Sequence, residues 1–179
     1  MDMQGTRQLG VTQQQAWDAL NDPEVLKKCI PGCDKFEKGA QDNQYAVGMA
    51  VKVGPVSAKF TGKVTLTDIQ PPVSYKLAFE GQGGVAGFGK GASSVSLVPN
   101  ADGCELAYTV QAQVGGKIAQ LGQRLIDGAA KSMADDFFKR FDEEMQARYP
   151  VAAADAEPVP KLGWWARFLR WLGFGKSTA

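Results

Sequence analysis

A series of alternating strands followed by one long amphipathic helix is the feature that most restricts the fold of this chain. Apolar side chains recur at every second position through residues 45–53, 56–67, 75–80, 84–98 and 104–114. This period of two predicts an antiparallel sheet with one buried face. From residue 116 to 149 the period becomes helical. The simplest way to bury both apolar faces is to wrap a curved sheet around the helix.

The segment before this sheet predicts one more strand and two short helices. Residues 2–11 alternate weakly, and Thr12 is suited to cap a helix that carries Trp17. Pro23 is suited to the first position of a second helix that ends at Cys29. The predicted order is therefore β-α-α-β6-α, an α+β fold of about seven strands.

The long helix has an apolar stripe and an unusually small middle. We place Ile118, Leu121, Leu125, Ala129, Met133, Phe137 and Phe141 on its sheet-facing side. Gly128 lies among several alanines, and a glycine costs a helix interior about 1 kcal/mol relative to alanine. Two explanations stay open: close packing against the sheet, or volume left for a ligand.

This order resembles the helix-grip arrangement of the START and birch-pollen-allergen superfamily. The resemblance implies an apolar cavity between sheet and helix. Strand parity, with Lys59, Lys63, Lys76 and Glu80 facing water, then selects the residues expected to line it. They are Tyr45, Val47, Met49, Val51, Phe60, Leu77, Phe79, Leu125, Gly128, Met133 and Phe137.

Composition narrows the chemistry. The chain has no histidine, which excludes Ser-His-Asp and Cys-His nucleophiles and imidazole-ligated zinc. The domain without its tail is nearly neutral, which argues against nucleic acid as the main partner. Cys29 and Cys33, with only Cys104 besides, make an incomplete zinc set and favour a rigid turn. We therefore expect no metal, no covalent cofactor and no catalytic residue.

A glycine-rich segment is similar to a phosphate-binding loop but lacks two of its features. Residues 84–90 read GVAGFGK, but Gly91 follows where serine or threonine is required, and a strand is predicted after it. A bent strand explains these glycines better.

The last nineteen residues, 161–179, differ from the domain at residues 1–149. They contain three of the four tryptophans and four basic residues, and an Ala/Pro linker at residues 150–160 precedes them. A helix here would be roughly 20 Å long, too short to span the ~30 Å hydrocarbon core but suited to lie in the membrane interface. Docking on its own domain or on a partner protein stays open. The residues expected at the membrane are Leu162, Trp164, Trp165, Phe168, Leu169, Trp171 and Leu172, with Arg167 and Arg170 on the opposite, water-facing side of the helix.

Four segments in order carry a more specific resemblance. CIPGC follows a DPEVL helix, and then come VGPVSAKFTGKVTL, GFGKGASSVSL and VGGKIAQLGQRLI. Across residues 1–149 the chain resembles the CoxG family of carbon monoxide dehydrogenase subunits. The resemblance implies an accessory role beside a molybdenum hydroxylase of the carbon monoxide dehydrogenase type. It also implies recruitment of that enzyme to the membrane and handling of a lipophilic quinone.

Three functions follow as hypotheses. The leading one is a non-catalytic carrier that takes ubiquinone or menaquinone from the membrane and presents it to the dehydrogenase. The second is an anchor or assembly factor with a packed interior, and the third is an enzyme using Tyr, Asp or Glu in the cavity. The polar N-terminus and the three cysteines lead us to expect a cytoplasmic protein on the inner face of the membrane.

Overall fold

A curved antiparallel sheet wraps around a C-terminal helix in the computed structural model, which describes residues 1–150. This confirms the predicted fold class and element order. The strands are β1 (Asp2–Leu9), β2 (Cys33–Lys38), β3 (Gln44–Val53), β4 (Val56–Gln70), β5 (Ser74–Gln82), β6 (Phe88–Asn100) and β7 (Gly103–Gly115). The helices are α1 (Gln13–Leu20), α2 (Pro23–Cys29) and α3 (Gln123–Arg148). The linker beyond Pro150 and the proposed membrane helix at residues 161–179 lie outside the described residues.

The seven strands form one sheet in the order β1-β7-β6-β5-β4-β3-β2. Strands β2 to β7 follow one another as hairpins, so each pairs with its neighbour in sequence. Strand β1 is the exception, because it pairs with β7 from Asp2↔Gln111 to Leu9↔Cys104. The chain therefore closes one side of the sheet with its first strand.

Local sequence explains both short helices. Thr12 caps α1 through its side chain, and Gln15 bonds back to the Thr12 backbone in a capping box. Asp22 caps α2, and Pro23 occupies the first helical position, where a missing N–H costs nothing. The predicted ends of both helices are confirmed.

The sheet and the long helix meet in two clusters of very different size. We call the larger cluster the packed end; it lies where α1, α2 and the last turns of α3 meet the sheet. Its members include Leu9, Val25, Leu97, Leu106, Phe141 and Met145, together with Tyr45 and Tyr75. The smaller cluster, which we call the thin end, has Ala86, Ile118 and Ile126 as its buried members.

Two element boundaries differ from the sequence prediction. The long helix begins at Gln123 and not near residue 116, because Gly122 adopts a positive φ of 88° that no helix accommodates. A separate 3-10 turn at Ala119–Leu121 precedes it. Likewise, residues Gly84–Ala86 form a 3-10 turn, and strand β6 starts only at Phe88.

Candidate functional site

A cavity of about 580 Å³ lies between the sheet and α3. Strands β3 to β7 supply its floor and walls, and the helix covers it. The volume falls within the ~300–1,000 Å³ typical of small-molecule sites.

Most of the residues expected at the cavity line it. On the strands these are Tyr45, Val47, Met49, Val51, Phe60, Leu77 and Phe79, and on the helix they are Met133 and Phe137. The strand parity holds, because Lys59, Lys63, Lys76 and Glu80 are exposed on the outer face. Their role in binding a ligand stays a prediction.

Leu125 and Gly128 do not line the cavity, which corrects the prediction for the helix. Leu125 is 50% exposed and Gly128 is also exposed, and neither is among the residues that line the cavity. The inward face of α3 instead carries Ile126, Ala129, Ala130, Met133, Ala134, Phe137 and Phe138. The predicted stripe began at Ile118 and crossed Gly122, where the backbone leaves the helix, so its phase was wrong for the first turns.

Several wall residues were missed by sequence reasoning. Tyr75, Phe88, Ser93 and Tyr108 line the cavity besides those predicted. Tyr75 shares the parity of Leu77 and Phe79, so the alternation alone could have found it. Phe88 could not be found, because the 3-10 turn before β6 changes where the strand begins.

Three glycines lie side by side on the cavity floor. Gly62 pairs with Gly81, which pairs with Gly89, across three central strands. A Cβ at Gly62 would collide with the Glu80 carbonyl oxygen, so close strand approach requires that glycine. A Cβ at Gly81 would meet ordinary contacts at 3.7 Å or more, and one at Gly89 would meet none within 4 Å. These two positions leave volume in the cavity that larger residues would fill.

Most polar groups at the cavity are uncharged, and the charged residues that border it, Lys63 and Glu80, have exposed side chains that pair with each other at 3.0 Å. Among residues 1–150, no charged or polar residue is fully buried. Asn21, which lines the wall, donates its amide to the Trp17 carbonyl at 2.9 Å. Burial raises the pKa of the Tyr75 phenol far above its ordinary value, and the nearby Tyr45 adds to this. The Tyr75 hydroxyl is therefore protonated at physiological pH.

Exposed apolar side chains surround the thin end. Val85 is 83% exposed, and Phe88, which also lines the cavity, is 40% exposed. The turn carrying Val85 is tied to the next 3-10 turn by a bond from the Ile118 N–H to the Ala86 carbonyl at 3.0 Å. Leu125 contacts the β3–β4 turn, within 3.8 Å of a Cβ at Gly54. An apolar rim of Val85, Phe88 and Leu125 thus borders this end of the cavity.

The cysteine pair has the character of a structural turn. Cys29 is buried, and burial, with a contribution from Glu144, raises the pKa of its thiol to about 11. Burial likewise raises the pKa of Cys33. Such thiols are poor nucleophiles at neutral pH. Within the described part of the chain, no group of acidic, cysteine or histidine side chains could hold a metal.

The chain matches one protein family over most of its length. Residues 5–146 match the family described as the CoxG subunit of carbon monoxide dehydrogenase. No curated protein shows significant similarity to the chain.

Solved structures share the fold. A conserved protein from Geobacillus kaustophilus is 36% identical, with a TM-score of 0.77, covering 83% of this chain and 97% of that one. An uncharacterized protein from Rhizobium leguminosarum is 13% identical, with a TM-score of 0.64 and coverage of 82% and 95%. A Thermus thermophilus protein is also 13% identical, with a TM-score of 0.63 and coverage of 83% and 99%. The last two show the likeness of fold alone.

Proposed function

Because the chain belongs to the CoxG family of carbon monoxide dehydrogenase subunits, we propose that it serves a molybdenum hydroxylase of the carbon monoxide dehydrogenase type as an accessory protein. In this proposal it carries a lipophilic quinone, ubiquinone or menaquinone, between the membrane and the enzyme. In this proposal the protein acts at the cytoplasmic face of the membrane.

The observation that supports this most is the apolar cavity. Its wall consists mainly of aliphatic and aromatic side chains. An isoprenoid chain gains about 0.8 kcal/mol for each CH₂ removed from water, and the two charged residues that border the wall, Lys63 and Glu80, stay exposed and paired with each other. A quinone ring adds only carbonyl oxygens, which can accept hydrogen bonds from neutral hydroxyls.

Contact with the membrane is supported by two separate features. The sequence of residues 161–179 has the amphipathic pattern of an interfacial helix. In addition, Val85, Phe88 and Leu125 form an apolar rim, and the exposed basic residue Arg124 directly precedes Leu125 in the sequence, a combination suited to an anionic lipid surface. Within residues 1–150, no helix is both long and apolar enough to cross a bilayer.

The two rival functions have less support. A pure assembly factor gives no reason for a cavity or for glycine at positions 81 and 89. An enzyme needs a positioned acid or base, and the one carboxyl group among residues 1–150 whose pKa lies above its ordinary value, through burial, is Asp142, which does not line the cavity. The carrier function accounts for the volume and for the apolar wall together.

An assay with two electron acceptors tests the proposal. Dehydrogenase made without this protein should reduce a water-soluble dye at full rate but fail to reduce long-chain quinone held in vesicles. Adding purified protein should restore the vesicle reaction. Loss of dye activity as well would show that the protein matures the enzyme and carries nothing. A variant lacking residues 161–179 should accept quinone from detergent yet transfer little from vesicles.

A further inference from the structure

Two buried tyrosines at the cavity have hydroxyls that the protein leaves without partners. Tyr75 is 6% exposed, and its ring packs edge-on against Trp17 at 5.6 Å between centroids. Tyr45 is 8% exposed and packs against Phe36 at 5.2 Å. Both line the cavity, and none of the side-chain hydrogen bonds among residues 1–150 involves either hydroxyl.

An unpartnered hydroxyl in an apolar interior is costly, on the order of 1–3 kcal/mol. Neither oxygen is sealed within packed atoms, since no such buried and unsatisfied atom occurs among residues 1–150. Both side chains line the cavity, which is open space beside them. Phenylalanine at either position would keep the ring packing without this cost. The two hydroxyls are therefore best explained by a ligand that forms hydrogen bonds with them.

We propose that Tyr45 and Tyr75 form the binding site for a carbonyl oxygen of the ligand's ring. This inference rests on the carrier function and fixes the ligand's orientation. The ring lies toward the packed end, to which both tyrosines belong. The tail runs past Gly81 and Gly89, where side chains are missing, and leaves by the thin end.

The chemistry of the hydroxyl suits a carrier in both redox states. A phenol is both donor and acceptor, so it donates to a quinone carbonyl and accepts from a quinol hydroxyl. Burial keeps the pKa of Tyr75 raised, so the donor proton is present throughout the physiological pH range. A charged donor in this position would have favoured one redox state over the other.

Tyr149 provides a matched control outside the cavity. It caps the C-terminal end of α3 and packs against the packed end, but it does not line the cavity. Removing its hydroxyl should leave the ring site untouched.

The experiment uses the full-length chain in detergent, with ubiquinone and the carbonyl-free isoprenoid squalene as the two ligands. Tyr45→Phe and Tyr75→Phe should each weaken ubiquinone binding about fivefold, the usual effect of one hydrogen bond, and the double variant more than tenfold. Squalene binding should not change in any variant, and Tyr149→Phe should bind ubiquinone like the wild type.

The outcomes separate the two proposals. A wild-type protein that binds no ubiquinone overturns the carrier function itself. If the wild type binds but the Tyr45 and Tyr75 variants bind equally well, the carrier function stands and the ring site is wrong. Equal losses for ubiquinone and squalene, or an equal loss in Tyr149→Phe, would assign the effect to packing and also overturn the site.

Discussion

The two ends of the domain differ in how tightly the same sheet and helix are packed together. At the packed end, Phe141 and Val25 have no exposed surface, and helices α1 and α2 fill the space beside the last turns of α3. At the thin end, three buried residues hold the first turn of α3 to two 3-10 turns. The domain therefore concentrates its packing at one end and leaves the other thinly packed, which is where the proposed ligand would enter and leave.

The largest expected effect contrasts the two clusters directly. Phe141→Ala should lower the free energy of unfolding by about 3–5 kcal/mol, because it leaves a large cavity among fully buried neighbours. Ile126→Ala, at the thin end, should cost about 2 kcal/mol or less, since few atoms surround it. Urea unfolding of both variants measures this, and similar losses would show that the two ends are equally packed.

A second contrast lies on the cavity floor between the ends. Gly62→Ala should destabilise the domain by about 1–3 kcal/mol, because its methyl group collides with the neighbouring strand. Gly89→Val should leave the unfolding midpoint nearly unchanged while lowering quinone binding, because its side chain enters open volume. Ala92→Val, on the outer face of the same strand β6, is the control. If Gly89→Val unfolds the domain and Ala92→Val does not, the space at Gly89 is smaller than described.

The rim of the thin end should matter for transfer and not for folding. Val85→Asp is expected to slow quinone transfer from anionic vesicles severalfold, because a carboxylate opposes both apolar contact and the surface charge. Val98, 57% exposed on β6, supplies a control, since it lies beside packed-end residues. Val98→Asp should transfer at the wild-type rate. Equal rates for the two variants would place the membrane contact elsewhere.

The smallest effect concerns an ionic link at the packed end. Glu144 accepts from Arg148 at 2.9 Å and from Lys28 at 3.2 Å, which connects α2 with α3. The hydrogen bond from Arg148 lowers the pKa of Glu144, and Lys28 adds to this against the opposing effect of partial burial. A lowered pKa contributes stability above the ordinary glutamate value of ~4.3 that is lost as pH falls through the folded pKa.

Glu144→Gln should therefore reduce the free energy of unfolding at pH 7 by less than about 1 kcal/mol. The difference from the wild type should shrink as the pH drops below ~4. Urea titrations at pH 7 and pH 3.5 measure both values. A difference that grows at low pH would contradict the direction of the shift.

The sequence sufficed for the sheet and for the strand side of the cavity because alternation fixes which face is buried. One charged residue, such as Lys63 or Glu80, anchors the parity of a whole strand. The helix side was harder to predict. Leu125 and Gly128 fitted a stripe that started before Gly122, and the positive φ of that glycine resets the phase where hydrophobic spacing shows no break.

The missed tyrosine has a different cause. Tyr75 belonged to the predicted inward set of β5, but nothing in the pattern of strands reveals whether a buried hydroxyl finds a partner. That depends on which side chains meet across the cavity, and α1, which supplies Trp17, is placed there only by tertiary packing. Strand parity predicts which face of the sheet a side chain points to, but only the folded core shows which groups that side chain contacts.

The pairing of β1 with β7 has a consequence for how the chain acquires its fold. Strands β2 to β7 can pair one hairpin at a time during synthesis, because each of these pairings joins two strands that are adjacent in the sequence. Strand β1 has to wait for β7, about a hundred residues later, and such distant closures slow folding. Until then, Tyr108 on β7 has only β6 beside it, and the helix has no complete sheet to pack against. The N-terminal strand is thus the expected last step of assembly and the first to detach when the domain opens.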